Sequence, residues 1–168
     1  IKSLIVVVPS SKEGAQKSYQ YLREAVSRYP DRLGLMAGGA ILGEILKAID
    51  PEDVTESDKK QFRVKAEKLL KEGAVGFGEM ISYHLCMTQN HSFQYVPADH
   101  PLYLLLSDIA SENNVPIDLH MEAIETTEPV STRLLKACSK NPKTLSPTIP
   151  NLEKLLQYNR NTKIVWQH

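Results

Sequence analysis

Cysteine is close to absent from this chain. The two that occur, Cys86 and Cys138, form no C-x-x-C pair. Two are also too few to staple 168 residues into a disulfide scaffold. Reduced thiols are therefore the default expectation, and a cytoplasmic compartment with them. A surplus of either charge is missing too. Twenty basic and 20 acidic side chains cancel, so no overall field draws the chain to nucleic acid or anionic lipid. No apolar run approaches the roughly 20 residues that span a bilayer. Leu4 to Val8, the strongest run near the start, is too short for the core of a signal peptide. The expected partner is thus a small molecule, not nucleic acid or a membrane. Because the chain opens on Ile1 rather than methionine, further sequence upstream is expected.

What is present is an ordinary globular composition, 42% apolar and 24% charged, on a length that suits one domain with a real core. Short apolar runs alternate with amphipathic segments, the pattern of parallel α/β architecture. Leu4 to Val8 reads as a strand buried on both faces. Ser10 and Glu13 stand at capping-box spacing, and Ala15, Tyr19, Leu22, Val26 and Tyr29 form one helical face that Pro30 closes. Arg32 to Ala37 reads as a second strand. Ile41 to Ile49 then keeps helical spacing. Ser57 to Glu72 forms a further helix that buries Phe62, Ala66 and Leu69 and stops at Gly73. Ala74 to Glu79 and Val115 to Met121 read as the third and fourth strands. Between them lie a polar stretch, Ser82 to His100, and a helix opened by Pro101. Residues 122–150 form a long, mostly irregular connection. A helix at Leu152, Leu155 and Leu156 and a strand from Lys163 to Gln167 complete the order.

Two architectures accommodate five strands with helical crossovers. The preferred one is part of a TIM-like (β/α)8 barrel, which as a whole takes about 250 residues. The alternative is a five-stranded open doubly wound sheet. Strand order separates them, because a barrel segment keeps sequential neighbours and an open sheet reverses once. A barrel segment by itself leaves two strand edges open, so the expectation is that the rest of a barrel or a second copy covers them.

No histidine precedes residue 84, and the five present lie at 84, 91, 100, 120 and 168. His120 ends the strand Val115 to Leu119, His168 ends the strand Lys163 to Gln167, and Glu79 holds the same place on Ala74 to Gly78. In parallel α/β proteins the carboxyl ends of strands share one face, where active sites are built. One carboxylate and two imidazoles meeting there suit a divalent cation, zinc first. His84, His91 and Glu122 fall just beyond strand ends or in the long loop, where they could orient substrate or tune ligands. His84 ranks first among them, since it follows the Glu79 strand most closely.

The segments Gly73-Ala-Val-Gly-Phe-Gly-Glu79, Val115-Pro-Ile-Asp-Leu-His120-Met-Glu-Ala123 and Asn161-Thr-Lys-Ile-Val-Trp-Gln-His168 resemble the amidohydrolase superfamily of metal-dependent hydrolases, as does Asp99-His-Pro-Leu102 with its helix. The resemblance covers the chain from about Gly73 onward, and the earlier part only by order of elements. It implies a TIM barrel in which the Glu after the fourth strand and the His residues after the fifth and sixth bind metal. Those positions are Glu79, His120 and His168. It further implies a hydrolase that activates water against an amide, ester or lactone, with His84 and Glu122 as the catalytic candidates. A metal-dependent decarboxylase of the same superfamily is the sister reading, and a non-enzymatic α/β ligand-binding module the rival from another class. The chain departs from the family pattern in two places. It has no His-x-His, and it has no counterpart of the Asp after the eighth strand. Both are expected in parts of a longer barrel.

Other motifs fail on inspection. Gly38 to Gly43 has P-loop glycine spacing, but Glu44-Ile45 replaces the required Lys-Ser/Thr. Glycines 73, 76 and 78 lack the order of a dinucleotide fingerprint, and close packing inside a barrel explains them better. No serine sits in a G-x-S-x-G context.

Overall fold

The computed structural model describes residues 3–6, 12–89 and 92–167. In chain order the first elements are β1 (Ser3–Val6), α1 (Lys12–Arg28), β2 (Leu33–Gly38), α2 (Leu42–Ala48), a 3-10 turn (Pro51–Asp53) and α3 (Glu56–Lys71). There follow β3 (Gly76–His84), β4 (Gln94–Tyr95), α4 (Pro101–Glu112) and β5 (Pro116–Met121). The last are β6 (Glu128–Pro129), α5 (Thr132–Ala137), β7 (Thr144–Leu145), α6 (Ile149–Tyr158) and β8 (Lys163–Gln167). Ser10, the expected cap of the first helix, and Val8, the expected end of the first strand, lie outside the described residues.

The main sheet runs β1-β2-β3-β5-β8, every pair parallel, with β4 added antiparallel to β3. Each parallel strand therefore pairs with its sequential parallel neighbours, and the order never reverses. That is the order of a barrel segment, and it excludes the doubly wound alternative. The carboxyl ends of β3, β5 and β8 consequently lie along one edge.

Local chemistry explains the helix limits. Thr55 caps α3 through a capping box with Asp58, so the helix starts at Glu56, one residue before the start that helical spacing predicts. At the other end Gly73 adopts φ +99°, a left-handed conformation open to glycine, and the Ala74 amide donates back to the Leu69 carbonyl at 3.1 Å. Phe62, Ala66 and Leu69 of α3 are buried as their spacing predicts, against Leu102, Leu106 and Ile109 of α4 and Phe77 and Ile117 of the sheet in one continuous core. Arg63 reaches across to both oxygens of Glu112 at 2.6 and 3.1 Å. That pair is 32% and 54% exposed, so it is worth about 1 kcal/mol or less. Burying a single Phe or Leu is worth about 1.5–3 kcal/mol. Packing, not the ion pair, holds α3 on α4.

Two stretches expected to be irregular carry structure. The segment after β3 turns back as β4, so that the amide of Val96 donates to the Ser82 carbonyl at 2.7 Å and the Ser82 hydroxyl to the Val96 carbonyl at 2.8 Å. The long connection after β5 holds the small β6–β7 sheet and α5. Strands of two residues leave almost no periodicity to read. Among the described residues, no helix is long and apolar enough to cross a membrane.

His100 is a structural residue. It is buried at the start of α4, where Nδ1 accepts the Leu102 amide at 3.1 Å and Nε2–H donates to the Ile49 carbonyl at 3.0 Å. Burial is the main cause that holds its imidazole below the ordinary value of 6.5. A histidine with a depressed folded pKa contributes stability that is full above 6.5 and is lost as pH falls through the lower folded value. His100→Ala strips partners from two buried backbone groups and is expected to cost roughly 1–3 kcal/mol in urea unfolding at pH 7.5. It should also flatten part of the loss of stability below pH 6.5. An unchanged urea midpoint would show that water replaces both bonds.

Candidate metal centre

The site begins with how closely β3 and β5 approach. A side-chain Cβ at Gly76 would lie 2.8 Å from the Pro116 carbonyl, and one at Gly78 would lie 2.8 Å from the Cβ of Asp118. Only glycine lets the strands come together here, which is the close-packing role expected for these residues. The register shifts between Phe77 and Met80, and again between Ile81 and Tyr83. Bulges of this kind re-aim side chains beside active sites. Here the first one leaves Glu79 in contact with His120.

The expectation put Glu79 at the end of a strand and His84 in a loop beyond it. In the structure Glu79 lies inside β3, which continues to His84. Met80 to Tyr83 keep pairing because β5 lies on one side and β4 covers the far end on the other. A carboxylate inside a central strand is rare, so the apolar pattern of the sequence ends at Glu79. His84 is therefore a fixed strand residue, not a loop residue.

Three predicted residues meet. His120 Nδ1 is hydrogen-bonded to Glu79 Oε1, and His84 Nδ1 stands 2.8 Å from His120 Nε2. With Glu79 as carboxylate acceptor, Nδ1 of His120 carries the proton, Nε2 is the acceptor, and His84 donates from Nδ1. The rings meet edge to face with centroids 4.6 Å apart. The His120 and Glu79 side chains are only 14% and 13% exposed. At that depth the carboxylate fixes the imidazole's tautomer and orientation, as carboxylates do behind metal-ligating histidines.

Asp118 is the residue that sequence reasoning missed. It is 1% exposed and lies on the same sheet face as His120, two positions along β5. Its Oδ2 accepts Gln167 Nε2 at 3.0 Å, while Oδ1 has no hydrogen-bond partner among the described residues. Burial first and the Glu79 charge second push its carboxyl up to about 6, against a lowering by His120. A charged residue between buried Ile117 and Leu119, two before a candidate ligand, was the available signal.

Among the described residues, no three His, Cys, Asp or Glu side chains form a group that could hold a metal ion. His168, the expected third ligand, lies outside the described residues, as does His91. The donor chemistry nevertheless fits a cation. Glu79, His120 and His84 form one hydrogen-bonded chain there, and a buried carboxylate oxygen of Asp118, on the same face of β5 as His120, has no donor among the described residues. Glu122 follows β5 directly. Its amide donates to the Tyr83 carbonyl at 3.2 Å, its carbonyl accepts Thr148 Oγ1 at 2.6 Å, and its charge helps raise the Tyr83 phenol, for which burial is the larger cause.

The expectation of free, reduced thiols is corrected. Cys86 and Cys138 are joined in a disulfide across 52 residues of sequence, a bond at odds with a reducing compartment as default. No spacing motif marks it, because the partners meet only once the 122–150 connection folds back beside β3. Asn141 reinforces the junction, accepting the Cys86 amide and donating to the Cys86 carbonyl, both at 2.8 Å. The bond thus fixes the chain two residues past His84. Replacing both cysteines by serine is expected to cost about 2–4 kcal/mol in urea unfolding and to open residues 122–150 to limited proteolysis. An unchanged midpoint with and without reductant would show that the Asn141 bonds suffice.

No protein-family model and no curated protein matches the chain. Among solved structures it is similar to 2,6-dihydroxybenzoate decarboxylase from Rhizobium, at 14% sequence identity and a TM-score of 0.49. A 2,6-dihydroxybenzoate decarboxylase complexed with 2,6-dihydroxybenzoate gives the same figures. Each similarity covers 95% of this chain and 47% of the other, so the chain spans about half the length of those proteins.

Proposed function

We propose that this chain supplies part of the metal centre of an amidohydrolase-type enzyme that activates water for attack on an amide, ester or lactone. His120, Glu79 and His168 would hold a divalent cation, with zinc the first choice for a set of imidazole and carboxylate donors. His84 and Glu122 would act on the substrate, a small molecule. The observation that carries the reading is the meeting of Glu79, His120 and His84 in one hydrogen-bonded chain near the carboxyl ends of adjacent parallel strands. Strand ends are where such folds build their active sites.

A bound cation would supply Lewis acidity, polarising a substrate oxygen and easing loss of a proton from water. The chain's own residues do the rest. Glu79 keeps the proton of His120 on Nδ1, so that Nε2 is the nitrogen turned toward the site. That nitrogen has one lone pair, which accepts His84 Nδ1 at 2.8 Å. With a cation bound there the lone pair would be taken and His84 released, and His84 could then give its proton to a leaving group. Decarboxylation is the second reading, and the imidazole pair favours it. That reaction ends by delivering a proton to carbon, and His84 carries one on Nδ1 beside His120.

The edges β1 and β8 have no further strand among the described residues. The rest of a barrel, or a second copy, would cover them. The segment alone is expected to associate in light scattering, and a stable monomer would count against a barrel origin.

The central test uses the full-length protein purified without tag or chelator, compared with a Glu79→Ala, His120→Ala double variant. Elemental analysis is expected to find a divalent metal at roughly one equivalent or more in the parent and little in the variant. A screen of lactones, esters and amides, run beside carboxylated substrates with detection of carbon dioxide, separates the two reactions. A parent protein free of metal after purification and after incubation with zinc would overturn the proposal.

A further inference from the structure

We propose that Asp118 is an additional residue of the cation centre, the buried carboxylate whose negative charge a bound divalent ion balances. The inference rests on the metal-centre reading above and extends it to a residue outside the expected ligand set.

The geometry argues against a merely architectural role. A carboxylate that served only to anchor β8 would need one oxygen, and Oδ2 already receives Gln167 at 3.0 Å. Oδ1 is buried without a partner among the described residues, an arrangement that native interiors seldom tolerate without a reason. A second, independent feature is the cradle around the group. Gly78 of the neighbouring strand makes room for it, since a Cβ there would come within 2.8 Å of the Asp118 Cβ and 3.2 Å of Oδ2. The third is position. Asp118 shares a sheet face with His120, and its hydrogen-bond partner among the described residues is Gln167, the residue before His168. Two ionisable groups flank it: Glu79, next to the Gly78 that packs on it, and His120, two positions along β5 and hydrogen-bonded to Glu79. One of them is a second carboxylate, so the pair calls for positive charge. A cation at this end of the strands would satisfy both.

A neutral isostere separates charge from anchoring. Asp118→Asn keeps an oxygen for Gln167 but removes the charge, whereas Gln167→Ala removes the anchor and keeps the charge. Both would be made in the full-length protein, with zinc affinity measured by competition against a chromophoric chelator and stability of the metal-free form by urea unfolding. Asp118→Asn is expected to weaken zinc binding by roughly tenfold or more, with a metal-free urea midpoint equal to or above that of the parent. Gln167→Ala is expected to keep zinc affinity within about threefold and to unfold at lower urea. Asp118→Ala serves if the asparagine variant does not fold, and should lose zinc affinity to the same degree.

Zinc bound by Asp118→Asn as tightly as by the parent would overturn the inference while leaving the metal centre standing. Equal losses of zinc affinity in Asp118→Asn and Gln167→Ala would also overturn it, reducing Asp118 to an anchor of β8. A parent that takes up no zinc would remove the metal-centre reading, and this inference with it.

Discussion

The site depends first on the closeness of β3 and β5. Neither Glu79 nor His120 is unusual alone. What brings them into contact is a pair of parallel strands that approach until any side chain at Gly76 or Gly78 would collide with Pro116 or Asp118. With that approach in place, a register shift between Phe77 and Met80 is enough to turn Glu79 toward the strand carrying His120. The core on the other face reinforces it. Phe77 pairs with Ile117 and Met80 with Leu119, all four buried beneath the helices. These residues hold the strands in one register, because sliding by one position would send them to the open face. Packing on the helix side therefore determines geometry on the functional side.

The same division explains what could be read from the amino acids alone. Elements that bury a whole face announce themselves, as α3 does through Phe62, Ala66 and Leu69 and β5 does through the alternating Ile117, Leu119 and Met121. Both the barrel segment and the open sheet stayed open in the sequence, and the sequential strand order of the structure decides for the former. The features that escaped belong to contacts between residues far apart in the chain. β3 looks finished at Glu79, and only the neighbours on either side keep it extended to His84. The Cys86–Cys138 bond has no local signature, because 52 residues separate its ends and the intervening chain must fold first.

Fixing the chain beyond β3 matters as much as fixing the strand. His84 ends β3, and three devices act within two residues of it. Ser82 exchanges hydrogen bonds with Val96, Tyr83 packs edge-on against Phe93 and Tyr95, and Cys86 is tied to Cys138 and Asn141. An exposed loop histidine samples many rotamers, whereas one braced on both sides keeps its Nδ1 at a set distance from His120. Proton transfer needs that constancy, since donor and acceptor must lie within about 2.6–3.2 Å. The long connection after β5, besides carrying Glu122 at its start, thus contributes to the site without supplying Glu79, His84 or His120. It immobilises the backbone from which His84 is presented.

Asp118 carries the argument one step further, because it runs against what folding alone would select. A buried carboxylate with an oxygen unpartnered among the described residues is destabilising, by about 1–3 kcal/mol or more for a charged group. A leucine or an asparagine in the same cradle would relieve it. Gly78 adds to that burden, since glycine within a strand is itself unfavourable and yet is required here to give Asp118 room. Two unfavourable choices that fit each other, beside a histidine whose tautomer is set by a second carboxylate, are hard to account for by packing. They are expected where a protein trades stability for a pre-formed charge arrangement. On that view the excess negative charge at the ends of β3 and β5 is not a flaw in the sheet. It would be the half of an electrostatic interaction that this chain provides, with the proposed cation as the other half.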